Sequence, residues 1–268
     1  VSDANFKIRG NLTLTSPNGA EVWIINTAHT ITWTKNGSIA NVKLEYSTNG
    51  GTTYPNVIAA SVNAGLGTYS WTIPDNPSVQ VRLKVSDAGD ATVFDSSDAN
   101  FIIRGGFTLS SPNGAEVWTV GTIQNIAWTT FGSILNVKLE YSSNNGTFYN
   151  VIVASVGNTG VYGWTIPDAI STQCLVKISD VNDPNAMDTS DAIFKIRGSL
   201  NLSAPNGGEQ WAVGSSQNIL WTKVGSIANI KLEYSTDSGV TYPNIIVATT
   251  SAAALTYAWT VPDSISAT

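Results

Sequence analysis

Apolar and polar residues alternate along this chain with a period of two, which is the pattern of half-buried β-strands. For example, Val42, Leu44 and Tyr46 fall on one face of a run, and the charged Lys43 and Glu45 fall on the other. Clusters of Pro, Asn, Asp and Gly separate such runs and are typical of turns. No stretch carries the 3.6-residue stripe of an amphipathic helix. The pattern therefore predicts an all-β protein.

The same pattern recurs three times along the chain. Residues 37–48 read GSIANVKLEYST and residues 225–236 read GSIANIKLEYST, which are identical at 11 of 12 positions. Pro17, Pro112 and Pro205 mark one point of the pattern and lie 95 and 93 residues apart. Internal similarity at a fixed period indicates an array of structurally similar units.

A recurring Arg-Gly pair divides the chain into four segments. Residues 1–10 match the end of a unit and are interpreted as the last strand of a preceding repeat. Residues 11–105 and 106–198 are complete repeats, and residues 199–268 form a repeat that lacks its last two strands. We therefore expect a window of a longer array, in which neighbouring polypeptide completes the third unit. Continuation of the same chain is the first expectation, and donation of strand 1–10 by an adjacent copy is the second.

About seven strands in roughly 95 residues is the size of an immunoglobulin-like sandwich, in which two antiparallel sheets share one core. Because the links between units are very short, the sandwiches are predicted to stack end to end as an extended rod. At about 3.3 Å per strand residue, each unit should advance the rod by roughly 35–45 Å. The predicted joint residues are Arg9, Gly10, Arg104, Gly105, Arg197 and Gly198.

The motifs occur in a characteristic order in each unit: PNGxEVW, ITWT, a VKLEYS strand, a GxYxWTIPD segment, a VKISD strand and a closing SDAxFxI strand. This order resembles the immunoglobulin-like repeats of Kre9/Knh1-type cell-wall proteins of yeast and of large secreted bacterial and archaeal proteins. The resemblance covers both complete units and the available part of the third. It implies an accessory or stalk module, and it implies no particular activity.

Composition and charge exclude several classes of function. The chain has 13 basic and 19 acidic residues and a net charge of −6, whereas nucleic-acid binding favours a basic face. No apolar run reaches the length of about 18 residues that indicates a membrane span, so membrane insertion is not expected in this segment. The single cysteine, Cys174, excludes an internal disulfide, and the single histidine, His29, leaves little acid–base chemistry. We find no polar constellation that predicts an enzyme.

All nine Trp residues fall at three recurring positions. Two of these positions share a strand face with aliphatic or Tyr residues, which predicts a structural core role for Trp33, Trp71, Trp128, Trp164, Trp221 and Trp259. The third position, Trp23 and its equivalents, follows a turn and is compatible with either core packing or an exposed surface. Exposed rows of Trp can stack on sugars, so a carbohydrate-binding surface is the alternative.

Acidic residues cluster late in each complete unit, at Asp87, Asp90, Asp95, Asp98, Asp180, Asp183, Asp188 and Asp191. Calcium takes six to eight oxygen ligands, and carboxylates on a loop near a domain junction could supply several of them. The competing interpretation, which we favour, is that these residues cap turns. No cofactor is expected other than this calcium.

Three smaller signals have structural interpretations. The segments STNGGTTY and STDSGVTY resemble the Asp-box, a hairpin clasp, but one copy in each unit is too sparse for a propeller. His29 aligns with Gln124 and Gln217 and is expected at the surface. Cys174 aligns with Val81 on a buried strand face and is expected to be a buried thiol.

The sequence favours a structural role: a stalk or fibre segment of a very large secreted or cell-surface protein that could assemble into an extracellular filament. Its partners would be neighbouring repeats of the same chain or identical chains. The alternative is a glycan- or protein-binding adhesin or carbohydrate-binding module, with surface glycans as the partner. Most aromatic residues recur between units, which fits packing, whereas Phe131 and Phe148 are specific to the middle unit.

Overall fold

A computed structural model describes Ala4 and residues 6–264 of the chain. The first complete unit contains nine strands and one short 3-10 helix, Ala64–Leu66. The strands are β1 (Asn11–Ser16), β2 (Val22–Ile24), β3 (Ala28–Asn36), β4 (Asn41–Ser47), β5 (Asn56–Asn63), β6 (Thr68–Thr72), β7 (Ser78–Asp87), β8 (Phe94–Ser96) and β9 (Phe101–Arg104).

The second unit repeats this order of strands. It comprises β10 (Gly106–Ser111), β11 (Val117–Thr119), β12 (Ile123–Phe131), β13 (Asn136–Ser142), β14 (Asn150–Gly157), β15 (Val161–Thr165), β16 (Ser171–Asp180), β17 (Met187–Thr189) and β18 (Phe194–Arg197). The third unit has a 3-10 helix, Ala252–Ala254, and the strands β19 (Ser199–Ala204), β20 (Ser216–Val224), β21 (Asn229–Tyr234), β22 (Asn244–Ser251) and β23 (Thr256–Thr260).

Each complete unit is a sandwich of two sheets. In the first unit the smaller sheet has the order β1-β3-β6, and the larger has the order β2-β9-β7-β4-β5, with β8 paired to β7. All pairs are antiparallel except β2 with β9. The second unit has the same orders, β10-β12-β15 and β11-β18-β16-β13-β14, with β17 on β16. The strand pairing thus confirms the predicted fold class, tandem immunoglobulin-like β-sandwiches, with nine strands in each complete unit where about seven were expected.

The alternating residues of both sheets fill one core in each unit. Ile31 of the smaller sheet and Leu44, Val85 and Phe101 of the larger sheet are fully buried in the first unit. Burial of apolar surface stabilises by roughly 25 cal/mol per Å², so the inward faces supply the main driving force for folding. Polar residues such as Thr13 occupy the outward positions, which is why the period of two was visible in the sequence.

The third unit is open on one side in the described part of the chain. Its larger sheet consists of β21 and β22 only, because the residues up to 264 contain no counterpart of β7, β8 or β9 and the residues equivalent to β2 form no strand. Leu202 is consequently 46% exposed, whereas the equivalent Leu14 is 2% exposed. The expected boundary at residue 268 lies outside the described residues, because residues 265–268 are not among them.

Residues 6–10 form no strand with any other part of the described chain, and Phe6 and Ile8 are largely exposed. Their equivalents in the first unit, Phe101 and Ile103, are buried between β2 and β7. The strand expected over residues 1–10 is therefore not formed in residues 6–10. Residues 1–3 and 5 lie outside the described residues.

Within residues 6–264, the helical segments are the two three-residue 3-10 turns, and no helix there could cross a bilayer.

Candidate functional site: the joints between units

Consecutive units are connected by a single residue outside the strands. Gly105 is the only residue between the end of β9 at Arg104 and the start of β10 at Gly106. Gly198 likewise separates Arg197 at the end of β18 from β19. The last strand of one unit therefore runs almost directly into the first strand of the next, and the two units must meet at this point.

Each joint has a glycine because a backbone carbonyl and an isoleucine side chain lie too close to it to leave room for a Cβ atom. A Cβ atom on Gly105 would lie 2.8 Å from Cδ1 of Ile134 and 3.0 Å from the carbonyl oxygen of Phe131. A Cβ atom on Gly198 would lie 2.5 Å from the carbonyl oxygen of Val224. Neither glycine has a positive φ. The requirement for glycine at these two positions is therefore steric.

An apolar contact across the joint is repeated. At the first joint Ile25 packs against Gly132, where an added Cβ would lie 2.9 Å from Cδ1 of Ile25. At the second joint Val120 takes the same position against Gly225, where an added Cβ would lie 3.3 Å from Cγ2 of Val120. Ile25 and Val120 are 1% and 9% exposed, whereas the third equivalent, Val213, is 51% exposed. The apolar contact is thus present at both joints between described units.

A carboxylate–hydroxyl pair lies beside each apolar contact. The hydroxyl of Ser133 donates to Asp75, and the hydroxyl of Ser226 donates to Asp168. The backbone N–H of Ser226 also donates to Oδ1 of Asp168 at 2.8 Å. Both hydrogen bonds from Ser226 lower the pKa of Asp168 below its ordinary value, and the side-chain bond has the larger effect. Both pairs join residues 58 positions apart, so the same contact forms at both joints.

The predicted joint arginines meet the predicted acidic clusters. Nε of Arg104 lies 3.7 Å from Oδ2 of Asp183, and Nε of Arg9 lies 3.5 Å from Oδ2 of Asp90. Lys7 also donates to Asp90 at 2.6 Å, and this bond is the main cause that holds the pKa of Asp90 far below its usual range. Arg197 has no such ion pair among the described residues. Each pair connects the end of one unit to a loop of the next.

A cleft of about 340 Å³ lies at the first joint. Arg104 and Asp183 line it together with Ile25, Asp75 and Ser133, so both units contribute walls. Nε of Arg104 is buried there without a hydrogen-bond partner in the described chain. The joint is therefore tightly packed on the Ile25 side and incompletely filled around the arginine.

The other candidate aspartates hold turns and neighbouring strands. Asp95 and Asp188 accept from the backbone N–H groups of Leu14 and Leu109, at 2.8 and 2.6 Å. The remaining acceptors receive bonds from nearby turn residues or an Asn side chain: Asp87, Asp98, Asp180, Asp183 and Asp191. Within the described part of the chain, no three His, Cys, Asp or Glu residues are grouped so that they could hold a metal ion. This placement gives the calcium hypothesis no support.

The tryptophans lie inside the sandwiches. Five of the six assigned to the core are buried, Trp33, Trp71, Trp128, Trp164 and Trp221, and Trp259 in the open third unit is half-buried. Trp23 and Trp118, whose position was left open, are buried as well. Trp23 packs edge-on against Trp71 with ring centroids 5.9 Å apart. The complete units therefore present no row of exposed Trp side chains.

The hairpin clasp has the same geometry in all three units. Ser47 Oγ accepts from the N–H of Gly51 at 2.9 Å, and Asn49 Oδ1 accepts from the N–H of Thr53 at 3.1 Å. In the third unit Asp237 replaces the asparagine, and hydrogen bonds from Ser235 and Thr241 lower the pKa of Asp237 to about 2. The clasp closes the hairpin between β4 and β5, so its role here is structural.

His29 is half-buried rather than fully at the surface. Its ring stacks on the indole of Trp23 at 4.6 Å, and its Nε2 lies 3.0 Å from Oγ1 of Thr27. Desolvation by burial lowers the pKa of His29. Cys174 occupies the expected buried position, and burial raises the pKa of its thiol.

Sequence reasoning missed one buried ion group on the outer face of the larger sheet. Glu45 is buried, and it accepts from Lys43 at 2.7 Å and from Lys84 at 2.9 Å. Burial opposes ionisation of Glu45, but the two lysine hydrogen bonds outweigh it and lower the pKa of Glu45. Glu140 has the same arrangement in the second unit. Lys84 faces Glu45 in the strand register, so a correct pairing of β4 with β7 would have revealed it.

No protein-family model matches this chain, and no curated protein matches its sequence. Among solved structures, fibronectin(III)-like modules of CbhA from Clostridium thermocellum share 15% identity over 75% of this chain and 99% of theirs, with a TM-score of 0.24. A chimeric titin Z1Z2 tandem shares 12% identity over 69% of this chain and 99% of its own, with a TM-score of 0.25. The four N-terminal Ig domains of a Dscam1 isoform share 7% identity over 96% and 67%, with a TM-score of 0.29.

Proposed function

We propose that this chain is a stalk or fibre segment of a large secreted or cell-surface protein and that its role is structural. The observation that carries the proposal is the repetition of one joint, with the same glycine, the same apolar contact and the same Asp–Ser pair between successive units. A joint that repeats fixes a repeated orientation between domains. Its partners are then neighbouring repeats of the same kind, and the Kre9/Knh1-type resemblance likewise implies a stalk module.

The sequence composition fits an extracellular stalk. Charged residues make up 12% of the chain, and the outward strand positions are occupied by many Thr, Ser and Asn residues. Such a surface stays solvated without a strong field that would attract charged partners. Separating whatever lies at the two ends of the array would require no catalytic residue and no cofactor.

Small-angle X-ray scattering of the whole chain tests this proposal. Three units that each advance roughly 35–45 Å should give a maximum dimension above about 100 Å. A compact domain of this length would have a radius of gyration of roughly 18 Å. A measured radius near that value, with units folded back on one another, would refute the stalk.

A binding function is the second candidate, and Phe148 is the observation that favours it. This aromatic side chain is exposed on the hairpin of the middle unit, where the other units have Thr53 and Thr241. A glycan array should then show binding by the native chain that is lost in Phe148→Thr, which restores the residue of the other units. If neither protein binds any glycan on the array, the glycan-binding function is refuted.

A further inference from the structure

The chain enters and leaves the first unit at opposite ends of β3. At the entrance, a Cβ atom on Gly10 would lie 2.7 Å from the carbonyl oxygen of Asn36, the last residue of β3. At the exit, a Cβ atom on Gly106 would lie 3.0 Å from Cγ2 of Ile24, and residues 25–27 lead from Ile24 into the start of β3. β3 has nine residues, a length of roughly 30 Å at about 3.3 Å per residue. Tension along the chain therefore pulls apart the two ends of a unit that are separated by a whole strand.

The parallel strand pair of each complete unit connects the entering part of the chain to the strand that leaves. In the first unit β2 follows β1 after a turn and pairs in parallel with β9, the last strand, and β11 pairs with β18 in the same way in the second unit. The start of one strand and the end of the other lie at opposite ends of a parallel pair, whereas they lie at the same end of an antiparallel pair. Tension that enters before β2 and leaves after β9 consequently slides the two strands along each other. All the hydrogen bonds between them are then loaded together.

Backbone hydrogen bonds hold the parallel pair at both of its ends. At one end of the pair in the first unit, the N–H of Ile102 donates to the carbonyl oxygen of Glu21 at 2.9 Å. At the other end, the N–H of Ile25 donates to the carbonyl oxygen of Arg104 at 3.0 Å. The equivalent two bonds of the second unit measure 2.8 and 2.9 Å. The last residue before the joint is therefore bonded directly to the segment by which the chain entered the unit.

Side chains reinforce the same connection. Asn18, in the turn between β1 and β2, donates from Nδ2 to Oδ2 of Asp98 at 2.7 Å, and its Oδ1 accepts from the N–H of Asp98 at 2.8 Å. Asp98 lies in the loop that leads into β9. The equivalent residues of the second unit make the same two bonds, both at 2.7 Å. On the inner face, Trp23 of β2 packs against Phe101 of β9 with ring centroids 5.1 Å apart. The entering segment and the last strand are thus joined by backbone, polar and aromatic contacts.

We propose that the parallel pairs β2–β9 and β11–β18 are mechanical clamps, which let each complete unit carry tension along the array without unfolding. Strands β3 to β8 lie between β2 and β9 in the sequence, so they bear no tension while the pair holds. The bonds of the pair must break together before the rest of the domain can extend. This inference deepens the proposed stalk function and rests on it for the source of the tension. It adds that the stalk transmits force as well as separating its two ends.

Single-molecule force spectroscopy of the whole chain tests the clamp by changing only the point of attachment. One handle is attached at the N-terminus in both proteins. In the first protein the second handle is attached at Thr108→Cys, beyond the end of β9, and in the second protein it is attached at Ala99→Cys, before the start of β9. The first protein also carries Ala99→Ser, so that both proteins lack this alanine. Thr108 and Ala99 are exposed, and the buried Cys174 should remain unlabelled.

The two attachments load β1 in the same way and differ in how they load the parallel pair. Pulling at residue 108 slides β2 along β9, whereas pulling at residue 99 peels β2 from the start of β9. At equal loading rate, the first attachment should need roughly twice the rupture force of the second or more, because hydrogen bonds that are weak singly are broken together. Equal forces, or a higher force at residue 99, would overturn the clamp. An extended chain by scattering with equal rupture forces would refute the clamp alone, whereas a compact chain with unequal forces would refute the stalk alone.

Discussion

At the scale of single residues, the side chains that recur in all units are those that hold the sandwich together. Trp33 is buried between the sheets, and its indole N–H donates to the carbonyl oxygen of Ala64 at 3.1 Å. Trp221 makes the same bond to Ala252. A side chain that both fills the core and satisfies a buried carbonyl cannot vary freely between repeats. Repetition of the aromatic positions is therefore explained by packing.

Trp33→Ala is predicted to destabilise the first unit by about 3–5 kcal/mol, because it leaves a cavity and an unsatisfied carbonyl. Denaturant unfolding of the whole chain, followed by circular dichroism, measures this change. Trp211→Ala in the open third unit is the control, since Trp211 is already partly exposed and should cost less. Equal costs for the two substitutions would contradict the assigned core.

His29 should make the first unit sensitive to mild acid. Because burial lowers the pKa of His29 in the fold, the unfolded chain binds the proton more readily. Its neutral state contributes stability that is fully present above the unfolded pKa of about 6.5 and is lost as the pH falls below it. The variant His29→Gln, which has the residue of Gln124 and Gln217, should lose less stability between about pH 8 and pH 5. If the stability of both proteins falls equally between these pH values, His29 is not the source of the acid sensitivity.

At the scale of elements, the sequence predicted the strands well and the contacts between them poorly. The period of two located strands such as β4 and β7, because a half-buried strand must alternate. It could not show that Lys84 of β7 lies opposite Glu45 of β4, since the register depends on how these two strands, far apart in sequence, pair within the sheet. The Asp75–Ser133 contact was missed because it joins two different units, although its Pro-Asp and Gly-Ser motifs recur in each unit.

The joint glycine should not tolerate a side chain. Gly105→Ala would force the new Cβ against Ile134 and the Phe131 carbonyl, and overpacking of this kind costs about 1–3 kcal/mol. Gly157→Ala is the matched control, because nothing lies within 4 Å of a Cβ there and its φ is not positive. Calorimetry of the whole chain should show a lower melting temperature for Gly105→Ala alone. A harmless Gly105→Ala would contradict the close packing of this glycine against Ile134 and Phe131 of the second unit.

At the scale of the whole molecule, the function we propose rests on the joints and not on any single domain. The sequence identified the joint arginines and the acidic clusters as separate features, and the structure joins them through Arg104 and Asp183. The Arg104–Asp183 and Asp75–Ser133 contacts involve residues of two domains, and no pattern within one repeat could predict them.

The most direct test compares the two joints by distance. Spin labels at the exposed, equivalent positions Thr13→Cys and Thr108→Cys report the first joint, and labels at Thr108→Cys and Asn201→Cys report the second. The buried thiol of Cys174 should remain unlabelled.

Pulsed electron–electron double resonance should give two narrow distance distributions with the same mean, roughly 35–45 Å for units stacked end to end. Replacing Asp168 by Ala should broaden only the second distribution, because only that joint loses its bonds to Ser226. Two different means, or two broad distributions in the otherwise native chain, would contradict a stalk built from one repeated joint.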